Sequence, residues 1–210
     1  YREMEKILAT LPADDQADKR IYKIAASIYL YDHTEKIIDL HGDIPFINAC
    51  KLSANGGDYI NSLATYDDAA ALYTKMLDDL KGFSDELNTI NVKAAILTGF
   101  KIQDFVNKGN LTTWKKYCNS LRLRMLARVS DYPALKSRAT SETATILAAP
   151  ATYPVVASNA ENVQMKVYDI STGINSKGWQ TGLEDWNGNI AGKVMIDHMK
   201  ANADPRLRAM

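Results

Sequence analysis

The chain has 210 residues, and its 25 basic residues balance 25 acidic ones, so the formal net charge is zero. That balance argues against a nucleic-acid binder steered by bulk charge, and no apolar run approaches the ~18 residues a membrane-spanning helix needs. The two cysteines, Cys50 and Cys118, lie far apart without C-x-x-C spacing. We expect two free, buried thiols, because Cys118 falls on an apolar helix face; one disulfide is the alternative.

In chain order, residues 18–42 read as one long helix, with Ile21, Ile24, Ala25, Ile28, Tyr31, Glu35 and Ile38 near a 3.6-residue period and Gly42 at the stop. Pro45 turns the chain, and residues 51–63 read as a loop from their Asn and Gly content. A second helix follows, with Thr65 as the expected cap, Asp68 completing a capping box, and Tyr66, Ala69, Ala70, Tyr73, Leu77 and Leu80 as its stripe. Its carboxylate pairs, Asp67 with Asp68 and Asp78 with Asp79, read as solvated. Residues 91–109 read as a short helix or a strand pair closed by a turn at Lys108, Gly109 and Asn110.

The stretch SLRLRMLARVSD belongs to a helix expected over 113–130, with Trp114, Tyr117, Cys118, Leu121, Met125 and Val129 on one stripe. Arg124 and Arg128 fall on its edge, while Lys115, Lys116, Asn119 and Arg122 take the opposite side with Leu123 and Leu126. Such a helix is apolar on more than one side and should be sandwiched between neighbours. A guanidinium at a packed edge needs its donors satisfied, so we expect Arg124 and Arg128 to pair internally, with Asp39 and Asp43 as partners. Phosphate contact and plain exposure are the competing readings.

A further helix is expected from Pro133 to about residue 149. Residues 150–189 change texture, rich in Gly, Asn, Ser and aromatics, before a helix and turn over 190–210. The fold class is therefore all-α: tetratricopeptide-like helix pairs over 18–149, an irregular loop-rich segment over 150–189, then the closing helix. No strict 34-residue period supports the repeat reading by itself.

Nucleotide, metalloprotease and nucleophile-elbow motifs are absent. His33, His41 and His198 have no ligand spacing, so no metal and no cofactor is expected. The DWNGN stretch interleaves Asp185, Asn187 and Asn189 as a calcium loop does, without the later glutamate. Glu184 and Asp185 between Trp179 and Trp186 suggest a glycosidase pair, but adjacent carboxylates diverge more easily than they face one another across a sugar. The same segment suits carbohydrate binding without chemistry: Trp179, Trp186, Tyr168 and Tyr153 offer flat apolar rings, with Asn175, Asp185 and Asn187 as polar neighbours. Each ring is equally open to a role as a plug on the helical core.

The stretch LTTWKKYCNSLRLRMLARVSD resembles a segment of the SusD/RagB family, outer-membrane nutrient-binding lipoproteins of Bacteroidetes. The match runs over Gly109, Trp114, Asn119, Ser120, Leu121, Arg122, Leu123, Arg124, Arg128 and Ser130, with Asn110 and Cys118 departing from the common Asp and Ala. DLHGDIPF resembles the family's D-L-Y-G-D-V-P-Y, with His41 for Tyr. TYDDAAALYTKMLDDLKGFSDEL resembles its next helix, and Asp204, Pro205, Arg206 and Leu207 resemble its D-P-R-L element. The resemblance implies a single SusD-like domain over 1–210, incomplete because family members are longer. It implies a non-enzymatic, lipid-anchored cell-surface protein that binds oligosaccharide, or in some members peptide, for a TonB-dependent, SusC-like transporter. The lipid anchor would precede this chain. It makes Arg124, Arg128, Asp39, Asp43 and Trp114 scaffold, and the family has no aromatic motif fixed enough to assign ligand residues here.

Overall fold

The computed structural model describes residues 1–164 and 192–208. Among these it holds eight α-helices and no strand. The chain divides into two compact units, Tyr1–Gln164 and Met165–Met210.

The first unit opens with α1 (Arg2–Thr10) and α2 (Ala13–Asp18), separated because Leu11 is extended ahead of Pro12. Helix α3 (Arg20–His41) buries the expected stripe of Ile21, Ile24, Ala25, Ile28, Tyr31, Glu35 and Ile38, together with Ser27 and Thr34. Gly42 ends it at φ +74°, donating to the Ile38 carbonyl at 2.8 Å. The following loop is pinned by a single antiparallel bridge between Ile44 and Asp67. The Asp67 carboxylate also accepts from the amides of Phe46 and Ile47, both at 2.8 Å.

That bridge moves the start of the second long helix. Helix α4 (Ala69–Thr89) is capped by Asp68, which accepts from Ala71 N–H, and not by Thr65. Asp43 accepts from Ala69 N–H at 2.9 Å, satisfying another of the first-turn donors. Asp67 and Asp68 thus both accept backbone bonds, Asp67 half-buried and Asp68 still exposed to solvent. Tyr66 lies before the helix and is exposed, while Leu72, Tyr73, Met76, Leu77, Leu80, Phe83, Ser84 and Leu87 form the buried face.

Helix α5 (Ala94–Gln103) resolves the helix-or-strand ambiguity in favour of a helix. Helix α6 (Leu111–Arg128) starts two residues before the expected position because Asn110, by accepting from Thr113 N–H, caps it. Helix α7 (Lys136–Ala148) starts later than Pro133, since residues 129–135 form turns. Helix α6 packs against α3, α4 and α7, as the sandwich expectation requires. It buries Trp114, Tyr117, Cys118, Leu121 and Met125 and, from its other side, Asn119, Arg122 and Leu126. A segment after α7, with a 3₁₀ turn at Asn159–Glu161, places Tyr153, Val155 and Val163 against the core.

In the second unit, α8 (Lys193–Ala201) leads to a 3₁₀ turn, Pro205–Arg208. The Asp204 carboxylate accepts from Arg206 N–H and Nε, both at 2.9 Å, so the D-P-R-L element folds on itself.

Candidate ligand-binding surface

The arginine helix is tied to its neighbours along two seams. On the α3 side, Arg124 donates to both Asp32 (2.6 Å) and Glu35, and Arg128 forms an ion pair with Asp39 at 2.7 Å. Internal pairing is therefore present, but with a different register from the expected one. Asp39 meets Arg128, Asp43 caps α4, and Arg124 uses Glu35 and Asp32, one and two turns before Asp39. Neither arginine is buried; the enclosed member of the pair is Glu35, 2% exposed. Tyr117 of α6 donates to Asp32, and Tyr73 of α4 donates to Asp39 at 2.6 Å. Burial would raise the Asp32 carboxyl, but bonds from Tyr117, Arg124 and Lys36 outweigh it and hold the group at about 2. Burial, reinforced by the accepting carboxylates, raises the Tyr117 and Tyr73 phenols.

The second seam lies on the side of α6 opposite the main stripe, where Asn119 and Arg122 are buried, as a sandwiched helix requires. Arg122 is 2% exposed and donates to Glu142 of α7 at 3.2 Å. Asn119 accepts from Ser84 at 2.7 Å and donates to the Pro154 carbonyl at 3.2 Å. Ser120 accepts from Val156 N–H, and Lys116 pairs with Glu161. Three side chains of α6, Lys116, Asn119 and Ser120, thus strap residues 154–161 to the scaffold. Tyr153 belongs to this seam: the Arg122 guanidinium lies 5.6 Å from its ring centroid, and its hydroxyl donates to Asp85 at 3.3 Å.

Trp114 is also internal. Its indole N–H donates to Asp104 at 2.6 Å, and the same carboxylate accepts from the amides of Val106, Asn107 and Gly109. Sequence reading passed over Asp104, although an Asp whose carboxylate can take the amide two residues on, here Val106, is the signal for an Asx-type loop.

The remaining surface offers apolar groups. Residues 51–66 expose Leu52, Tyr59, Ile60, Leu63 and Tyr66. Beside this loop, an apolar groove of about 600 Å³ is lined by Tyr1, Leu30, Ile37, Ile44, Phe46 and Cys50 among others. Trp179, Trp186, Tyr168, Asn175, Asp185 and Asn187 lie outside the described residues. Both cysteines are free; Cys118 is buried, and burial pushes its thiol up to about 12, whereas Cys50 is exposed against expectation. Among the described residues, no cluster of His, Cys, Asp and Glu has the geometry to hold a metal, and no helix is long and apolar enough to cross a membrane.

Comparison with known proteins bears on this arrangement. The SusD-like family model, described as starch-binding and associating with the outer membrane, matches residues 1–210. The crystal structure of a SusD homologue from Bacteroides thetaiotaomicron is similar to the chain with a TM-score of 0.60 at 24% identity, over 86% of this chain. The chain spans 33% of that protein's length. No curated protein matches.

Proposed function

Because the chain belongs to the SusD-like family, we propose that it is part of a cell-surface protein that captures oligosaccharides and delivers them to a TonB-dependent, SusC-like outer-membrane transporter. In this reading the longer protein is held to the outer membrane by an N-terminal lipid, and the chain carries out no reaction of its own. The family match over residues 1–210 is the observation that carries the reading.

The arrangement of the scaffold is consistent with it. Arg122, Arg124, Arg128 and Trp114 are engaged inside the first unit, so ligand capture falls to other groups. Trp179 and Trp186, with Tyr168, Asn175, Asp185 and Asn187, are proposed as the sugar-contacting set on the chemistry of their side chains. Flat rings stack on the C–H faces of sugars, and amides and carboxylates fix hydroxyls. The proposed role of Tyr153 is a smaller one, since its ring and hydroxyl already have partners in the scaffold. Binding should be micromolar or weaker, because a wet site must desolvate many hydroxyls.

Calorimetric titration with maltoheptaose and with xylan- and mannan-derived oligosaccharides tests the proposal. We expect heat with at least one saccharide, and Trp179→Ala and Trp186→Ala should each weaken it by about tenfold with the thermal melt unchanged. Heat with peptides and none with any saccharide would replace the reading by a peptide-binding scaffold. Turnover of a saccharide that disappears in Glu184→Gln or Asp185→Asn would replace it by a glycoside hydrolase.

A further inference from the structure

Residues 93–116 carry five lysines, Lys93, Lys101, Lys108, Lys115 and Lys116, against one carboxylate, Asp104, in a chain that is neutral as a whole. That carboxylate is 7% exposed and turned inward, where the amides of Val106, Asn107 and Gly109 and the Trp114 indole saturate it. Lys93 pairs with Asp18 and Lys116 with Glu161. Lys101 and Lys108 have no ion-pair partner among the described residues, and the fold brings them together. Gly109 sits so close to Lys101 that a Cβ added there would lie 2.5 Å from Lys101 Cγ. Lys108 Nζ stands 5.7 Å from the centroid of the Phe105 ring. Phe105 and the neighbouring Ile102 are 48% and 73% exposed. The turn between α5 and α6 therefore displays two apolar side chains beside two lysines, and the one carboxylate within residues 93–116 is turned inward.

We propose that this 101–108 turn is a membrane-surface contact, laying Ile102 and Phe105 into the headgroup zone of an anionic bilayer while Lys101 and Lys108 meet lipid phosphates. The combination of apolar anchors with flanking cations on a fixed backbone is the chemistry that partitions to such an interface. The contact rests on the outer-membrane association of the family and is independent of sugar capture. Two apolar groups and two lysines give a weak, reversible contact that orients the protein, each lysine strengthening partition by about fivefold near an anionic surface.

Sedimentation of the chain with vesicles of phosphatidylcholine and phosphatidylglycerol, against pure phosphatidylcholine, tests the contact. The chain should co-sediment with the anionic vesicles only, and less as salt is raised. The pair Lys101→Gln and Lys108→Gln should lower partition by about tenfold or more, and Phe105→Ser should lower it too, with thermal melts unchanged. Equal partition onto neutral vesicles, or undiminished partition of the double variant, overturns the proposal. Retention on immobilised poly-glutamate without vesicle binding assigns the turn to an acidic protein and likewise overturns it. Any of these results leaves the calorimetric test of saccharide binding unaffected.

Discussion

Three arginines of one helix meet three different environments, and their consequences for stability separate accordingly. The Arg122 side chain is 3% exposed and packed against Tyr153, Arg124 is 48% exposed, and Arg128 is 59% exposed. Exposure of the arginine alone is a poor guide, because Arg124 neutralises Glu35, whose own side chain is 3% exposed. Arg124→Ala leaves that carboxylate buried without a cation and should cost about 2–4 kcal/mol. Arg128→Ala releases Asp39 near solvent and should cost about 0–1 kcal/mol. Chemical denaturation of the two variants checks the contrast; equal losses would remove the special place of Glu35. The same seam sets acid stability. The folded Asp32 carboxyl lies at about 2, below the ordinary ~3.9, so its contribution is fully present above about pH 4. It is lost as pH falls through about 2. The contribution is on the order of 1–2 kcal/mol after screening at the half-exposed Arg124, and Asp32→Asn should flatten that part of the acid titration of stability.

Elements are joined by short polar devices more than by helix propensity. The turn between α5 and α6 depends on Asp104 taking four donors and on Gly109 at φ +69°, where a side chain would press on the backbone of Lys101 at 2.9 Å. Gly109→Ala should therefore cost about 2 kcal/mol or more, read as a lowered denaturation midpoint. The strap over residues 154–161 hangs on Asn119, Ser120 and Lys116. Asn119→Ala removes the donor to Pro154 and the acceptor for Ser84, and should cost about 2–3 kcal/mol. Hydrogen exchange should then accelerate at Val156 and Ala157 more than in α6; uniform acceleration would deny the strap a local role. Helix α3 was fully legible because its buried residues recur every three or four positions. The start of α4 was not, since Thr65 and Asp68 are both good caps. The choice was made by the bridge to Ile44, a contact 23 residues away in sequence.

The buried hydrophobic cluster, from Ile21 to Ile146, lies within the first unit, with Tyr153, Val155 and Val163 packed on it. A chain ending at Gln164 should therefore keep a single cooperative thermal transition, and its loss would show that the core needs residues beyond 164. The all-α class, the long helices and the family were legible in order along the sequence, because helical periodicity, glycine stops and four ordered motifs are local properties of the chain. Local periodicity assigns residues to faces of a helix; it does not state which faces have neighbours. Asn119 and Arg122 fell on the side opposite the main stripe, and only the packing of α7 and the 154–161 strap against that side made it interior. Likewise the spacing identified Arg124 and Arg128 as paired residues. Which carboxylates they reach was decided by the axial register of α3 against α6, a quantity fixed by side-chain packing between residues some ninety positions apart in sequence.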